Sequence, residues 1–179
     1  MSAKQIYYLD SDHVIAYIHD VPRNKDLGSA FRDFISRRGT KKGINFVLPQ
    51  VAVGEVINYI VNENKVDKTK RKDLMVALVE LIQDLNIDLK PATRESLEIA
   101  RWLLGKENFT DTTDAIILSQ ALCDPNSKYL LTSDSVLTGS ELIMSICKGE
   151  KRDKKSKEFV EQFIDRKNSK LRIQPVTNL

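Results

Sequence analysis

A strand that ends in acid is the feature that most constrains how this chain can fold. Ile6-Tyr7-Tyr8-Leu9 is an unbroken apolar run, rich in aromatic and branched side chains, and reads as a buried strand. It stops abruptly at Asp10-Ser11-Asp12, directly before the apolar-periodic segment His13 to Ile18. In open α/β sheets, ligands bind in the crevice outside the carboxyl ends of the strands, so acids at such a corner are better placed for chemistry than for folding. A lone Asp there would be read as the cap of the following helix. Two of them, echoed later by acids in matching places, ask for another explanation.

The rest of the chain alternates strand and helix patterns, which points to a parallel sheet. Val14, Ile15 and Ile18 recur at helical spacing, and Val21-Pro22 with Gly28 breaks the pattern. A second helix carries Ala30, Phe31, Phe34 and Ile35, and Ile44 to Leu48 is a second buried strand closed by Pro49. From Val51 to Asn62, the spacing of Val53, Val56, Ile57 and Ile60 predicts a helical core stripe, with Glu55 on the outer side beside Val51, Tyr59 and Asn62. Further helices are expected over Leu74 to Leu85 and through Leu97, Ala100 and Leu104, separated by a short strand at Ile87 to Leu89.

The second acidic block, Asp111-Thr112-Thr113-Asp114, opens a helix that is apolar nearly all round from Ala115 to Leu122. Asp111 is accounted for as its N-cap. Asp114, on the same face as Leu118 and Ala121, is only partly explained by the helix dipole and is a candidate site residue. Lys128 to Leu131 then repeats the opening architecture and ends in Thr132-Ser133-Asp134. Helices are expected at Glu141 to Cys147 and around Phe159, Val160, Phe163 and Ile164, with an exposed mixed-charge stretch, Lys148 to Lys157, between them. Leu171 to Val176 reads as a closing edge strand.

In a parallel sheet, Asp10, Asp12, Asp114 and Asp134 would converge at one end, with Thr132 and Ser133 beside the last. Two carboxylates about 4 Å apart repel by about 4 kcal/mol at an effective dielectric near 20, a conflict that a divalent cation resolves. Oxygen-only ligands select Mg²⁺ or Mn²⁺ over zinc, and the chemistry expected of such a site is phosphodiester hydrolysis. His13 and His19 do not share a helix face as paired metal ligands would. Cys123 and Cys147 stand far apart, outside any paired-ligand spacing, as expected in a reducing compartment.

At 179 residues and 41% apolar composition, the chain is expected to form one domain, 1–179. No apolar run approaches the roughly 20 residues of a membrane span, so a soluble, cytoplasmic protein without membrane contact is expected. Net charge is +3, but the cations cluster at Arg37-Arg38 with Lys41-Lys42, at Lys68, Lys70, Arg71 and Lys72, and over Lys148 to Lys157. Such clusters read either as solvated faces or as phosphate-binding footprints.

Leu9-Asp10-Ser11-Asp12-His13-Val14-Ile15, Pro49 to Glu55, Asp114-Ala115-Ile116-Ile117 and Thr132-Ser133-Asp134 resemble, in that order, the four acidic motifs of PIN-domain nucleases, which include VapC-type toxin ribonucleases. The resemblance implies a three-layer α/β/α sandwich around a mostly parallel sheet, with Asp10, Glu55, Asp114 and Asp134 as the catalytic acids that bind Mg²⁺ or Mn²⁺. It implies a metal-dependent endoribonuclease, either the toxin of a toxin–antitoxin pair with an antitoxin protein as partner or an RNA-processing nuclease, and a homodimer. The family's helical hairpin would fall between Glu55 and Leu85, which puts Lys68, Lys70, Arg71 and Lys72 beside the groove as RNA-binding residues. Asp12 departs from the family's usual neutral residue and Asp111 adds an acid, so Asp12, Asp111, Thr132 and Ser133 are additional candidates. A basic helical segment at about 139–170 is longer than a minimal toxin carries.

Two other readings compete. A non-catalytic PIN-like RNA-binding protein would share the fold but has no need for the full acidic set. A haloacid-dehalogenase-like phosphatase also opens on two Asp residues two apart after an apolar strand. In this chain, His13-Val14 replaces the Gly-Thr-like turn of that family, and no Gly-Asp-rich metal loop follows.

Overall fold

The computed structural model describes residues 5–19, 25–39, 43–62, 64–106, 111–163 and 171–179. Strands β1 (Gln5–Leu9), β2 (Ile44–Pro49), β3 (Asp88–Lys90), β4 (Ser127–Leu131) and β5 (Arg172–Gln174) form a five-stranded sheet in the order β3-β2-β1-β4-β5. All four pairings are parallel. The chain winds outward from β1 through β2 to β3, then returns to the other side of β1 with β4. The order therefore reverses between β1 and β4, and in such sheets the crevice at that switch point is the ligand site.

The sheet is covered on both faces. In-register Tyr7, Phe46 and Tyr129 point one way, where Tyr7 and Phe46 meet Phe34 of α2 (Lys25–Phe34) at ring-centroid distances of 5.7 and 6.2 Å. Tyr8, Val47 and Leu130 point the other way, where the Tyr8 hydroxyl donates to Asp124 at the end of α6 (Thr112–Cys123). The strands are apolar on both sides for this reason, as parallel strands between two helical layers must be. The fold is the expected α/β sandwich.

Around the sheet lie α1 (Ser11–Ile18), α3 (Gln50–Val61), α4 (Arg71–Asp84), α5 (Arg94–Lys106), α7 (Ser135–Gly139), α8 (Glu141–Lys148) and α9 (Lys154–Gln162). Several expectations need correcting. Gly28 does not interrupt a helix but lies inside α2, where a Cβ would sit 2.2 Å from the Ala16 carbonyl oxygen. It is there because α1 and α2 cross too closely for any side chain. On α3 the buried residues are Ala52, Val56 and Ile60, while Ile57 is 39% exposed. On α5, Leu97 and Leu104 are exposed, and the helix buries Ser96, Ile99, Ala100, Trp102 and Leu103. The mixed-charge stretch after Lys148 becomes helical at Lys154, because Asp153 and Ser156 form a reciprocal capping box. Cys147 is buried, with its thiol pushed up to about 12 by desolvation, whereas Cys123 is only half-buried. The expected break at Val21-Pro22, the cations Lys41 and Lys42, residue Ile164 and the end of the 139–170 segment lie outside the described residues.

Candidate active site

Four separate segments deliver acids to the carboxyl edge of the sheet. Asp10 follows β1, Glu55 sits in the second turn of the helix that follows β2, Asp111 and Asp114 open α6, and Asp134 follows β4. The amino ends of α1 and α3 begin at the same edge, and their dipoles favour negative charge there.

Capping explains part of each acid. Asp10 Oδ1 accepts from Ser11 N–H (2.6 Å), Asp111 Oδ1 from Thr113 N–H (2.7 Å), and Asp134 Oδ1 from Val136 and Leu137 N–H (2.7 and 2.9 Å). Each carboxylate has roughly four lone-pair positions, so capping leaves acceptor capacity on every one. Asp10 Oδ2 takes one further bond, from the Thr132 hydroxyl at 2.7 Å. Thr132 in turn accepts from Asp134 N–H at 3.0 Å, so one buried hydroxyl ties the β1 and β4 corners together.

Electrostatics shows which acids face one another. Burial, then Asp12, holds the Asp10 carboxyl well above the usual range, with Asp114 adding to the shift and bonds from Thr132 and Ser11 opposing it. Asp114 is pushed up to about 7 by desolvation and then by Asp134, Asp111, Glu55 and Asp12. Glu55 is raised by burial and by Asp111 and Asp12, while the hydroxyls of Ser11 and Thr113 hold it down. The side of α3 that periodicity assigned to the surface is therefore half-buried and turned towards α1 and α6, because α1 packs along it. The structure brings Asp10, Asp12, Glu55, Asp111, Asp114 and Asp134 into one field.

Asp12 does something different from the other acids. Its Oδ1 accepts from His13 N–H and from His13 Nδ1, both at 2.5 Å, and its Oδ2 accepts from the Ser133 N–H (2.5 Å) and hydroxyl. Burial raises its carboxyl, but His13 and Ser133 together outweigh that and lower it. His13 is fully buried, and its Nε2 accepts from Val176 N–H at 3.1 Å, so its one proton sits on Nδ1, facing Asp12. Sequence reasoning missed this relay. Its signal was a histidine at a core position of α1, directly behind the second Asp.

The relay yields a stability prediction. His13→Phe keeps the ring packing against Phe31 (5.7 Å between centroids) but strands the Val176 N–H and removes one partner of Asp12. Each orphaned buried group costs roughly 1–3 kcal/mol, so a loss of about 2–4 kcal/mol is expected in urea unfolding. A loss below 0.5 kcal/mol would mean that the relay contributes nothing.

Lys68 and Lys70, in a 3-10 turn, and Lys72, in the first turn of α4, are exposed, and Arg71 is half-buried. No set of three or more His, Cys, Asp or Glu side chains among the described residues is placed so that it could hold a metal ion. The donor chemistry nevertheless suits a hard cation, because Mg²⁺ is usually held by one or two carboxylates with water and substrate phosphate completing the shell. Mutual repulsion at Asp114 is the strain such an ion would relieve.

No family model and no curated protein sequence matches the chain. Among solved structures it is similar to a chain of VapBC2 from Rickettsia felis, crystallised bound to a DNA fragment from their promoter. The TM-score is 0.55 at 14% identity, over 74% of this chain and 91% of that one. The likeness is one of fold, and the fold is PIN-like.

Proposed function

We propose that the chain, as a single PIN-like domain over 1–179, is a divalent-metal-dependent endoribonuclease. The observation that carries this reading is the convergence of carboxylates from four separate segments on the switch point of a parallel sheet. Asp10, Glu55, Asp114 and Asp134 would hold Mg²⁺ or Mn²⁺. Bound there, the cation would acidify a water and neutralise charge on the scissile phosphate.

The chain's own residues do the positioning. Ser11 and Thr132 orient Asp10, and the hydroxyls of Ser11 and Thr113 favour the carboxylate form of Glu55 against the burial that raises it. Asp12 clamps Ser133 and so fixes the loop that carries Asp134, which makes it a positioning residue. Asp114 accepts no hydrogen bond among the described residues, so its carboxyl is the one most available to a ligand. Lys68, Lys70, Arg71 and Lys72 are the proposed contacts to RNA phosphates.

The VapBC2 structure holds a complex on promoter DNA, which supports an antitoxin partner for this chain too. An RNA-processing role and a homodimer also belong to this reading, as does a cytoplasmic location. No helix among the described residues is long and apolar enough to cross a membrane. The second reading is a non-catalytic RNA-binding protein with the same fold.

Labelled RNA and DNA incubated with the full chain decide between these. RNA cleaved with Mn²⁺ and intact in EDTA is the expected result. RNA bound but intact at every metal concentration would leave the binding protein as the answer.

A further inference from the structure

Helices α1 and α3 lie side by side, and two contacts mark the length of their seam. At the acidic end, Ser11 lies beside Glu55; at the other, His19 Nδ1 and the Tyr59 hydroxyl are 2.7 Å apart. Glu55 and Tyr59 are one turn apart on the same side of α3, and Ser11 and His19 are separated by two turns of α1. At 1.5 Å per residue the ring pair therefore stands about 6–12 Å from the acids. The rings meet edge to face at 5.7 Å and 61°, and both remain partly open to solvent.

Cations flank the pair. Lys65 Nζ lies 5.7 Å from the centre of the Tyr59 ring, and Lys70 is close enough to His19 to help burial depress its pKa. Both lysines are exposed. A polyanion is repelled by the acidic edge itself, so it must be gripped by positive charge just outside that edge. Aromatic rings set among lysines are what unpaired nucleotides require, because every base has a face to stack and every linkage a charge to neutralise.

We propose that the His19–Tyr59 ring pair, with Lys65 and Lys70, is a subsite for an unpaired nucleobase of an RNA strand whose scissile phosphate lies at the acids. This rests on reading the acidic edge as a ribonuclease site. At about 3.4 Å per stacked nucleotide, the base bound here is two to four positions from the cleaved bond. Substrates are single-stranded at that position, since a paired base cannot leave its stack without cost.

The test measures binding in EDTA, where no cleavage occurs, so its outcome is separate from that of the nuclease reading. Two fluorescein-labelled octamers are compared on the full chain, oligoadenylate and the same ribose-phosphate backbone without bases. Oligoadenylate is expected to bind about 5- to 100-fold more tightly, and Tyr59→Leu to erase that preference while Tyr59→Phe keeps it. Lys65→Gln and Lys70→Gln are each expected to reduce the logarithmic salt slope by about 0.7 and to leave the preference for bases intact. Equal binding of the two octamers by the unaltered chain, a comparison that needs no variant to fold, overturns the proposal. So does a preference that survives in Tyr59→Leu, and the ring pair would then be left to a protein partner.

Discussion

Asp114→Asn is expected to lower the rate of RNA cleavage about 10²- to 10³-fold, the usual cost of removing one preorganised electrostatic group from a reacting centre. The substitution preserves volume and removes a carboxylate that accepts no hydrogen bond among the described residues, so the fold has little reason to respond. Asp10→Asn is a less clean probe. Its two oxygens receive the Ser11 N–H and the Thr132 hydroxyl, and an amide nitrogen replacing one of them forces that corner to rearrange. Glu55→Gln tests the half-buried face of α3 and should cost tenfold or more if that carboxylate reaches the metal or the phosphate. Single-turnover cleavage with saturating Mn²⁺ is the measurement that checks these values. Undiminished turnover in Asp114→Asn would remove the acid cluster from the chemistry, whatever RNA the protein still binds.

How much of this was legible beforehand varies with the range of the interactions involved. The strand ends were readable because burial on both faces leaves an unbroken apolar run, and Asp10 and Asp134 stand where two such runs stop. The parallel sheet followed from the alternation of elements, whereas the order of its strands is set by long-range pairing and came only with the structure. Glu55 was placed outward because periodicity reports only the main core stripe. The stripe is centred on Ala52, Val56 and Ile60, and the flank that carries Glu55 is covered by α1, a contact between residues more than forty positions apart. Leu97 and Leu104 were misplaced for the converse reason: they are apolar at helical spacing, but α6 packs on the neighbouring side of α5. Gly28 carried a turn signal and turned out to be a helix-crossing contact, visible only once α1 lay across it. The role of Asp12 was illegible because it depends on His13, Ser133 and Val176 meeting across the whole length of the chain.

A melting series on the metal-free protein is expected to show stability falling as pH rises from about 4 to 7. The sign follows from the direction of the shifts: Asp10 and Asp114 are raised, Asp114 from 3.8 to about 7, so across that window the folded chain holds protons that the unfolded chain has already released. Raising the pH strips those protons and leaves carboxylates facing one another. Asp114 is only partly buried, and solvent screening reduces its share to about 1–2 kcal/mol. Near pH 8, Mg²⁺ or Mn²⁺ at a hundred times its dissociation constant is expected to add about 2.7 kcal/mol, a melting shift of roughly 5–10 °C for a chain of this size. Asp114→Asn separates the two effects. With one repelling charge removed, the metal-free variant should melt above the unaltered protein at pH 8, yet respond to metal by less than half as much. A full metal shift retained in that variant would place the ion away from the switch point, and the carboxylates gathered there would lose the cation that their repulsion calls for.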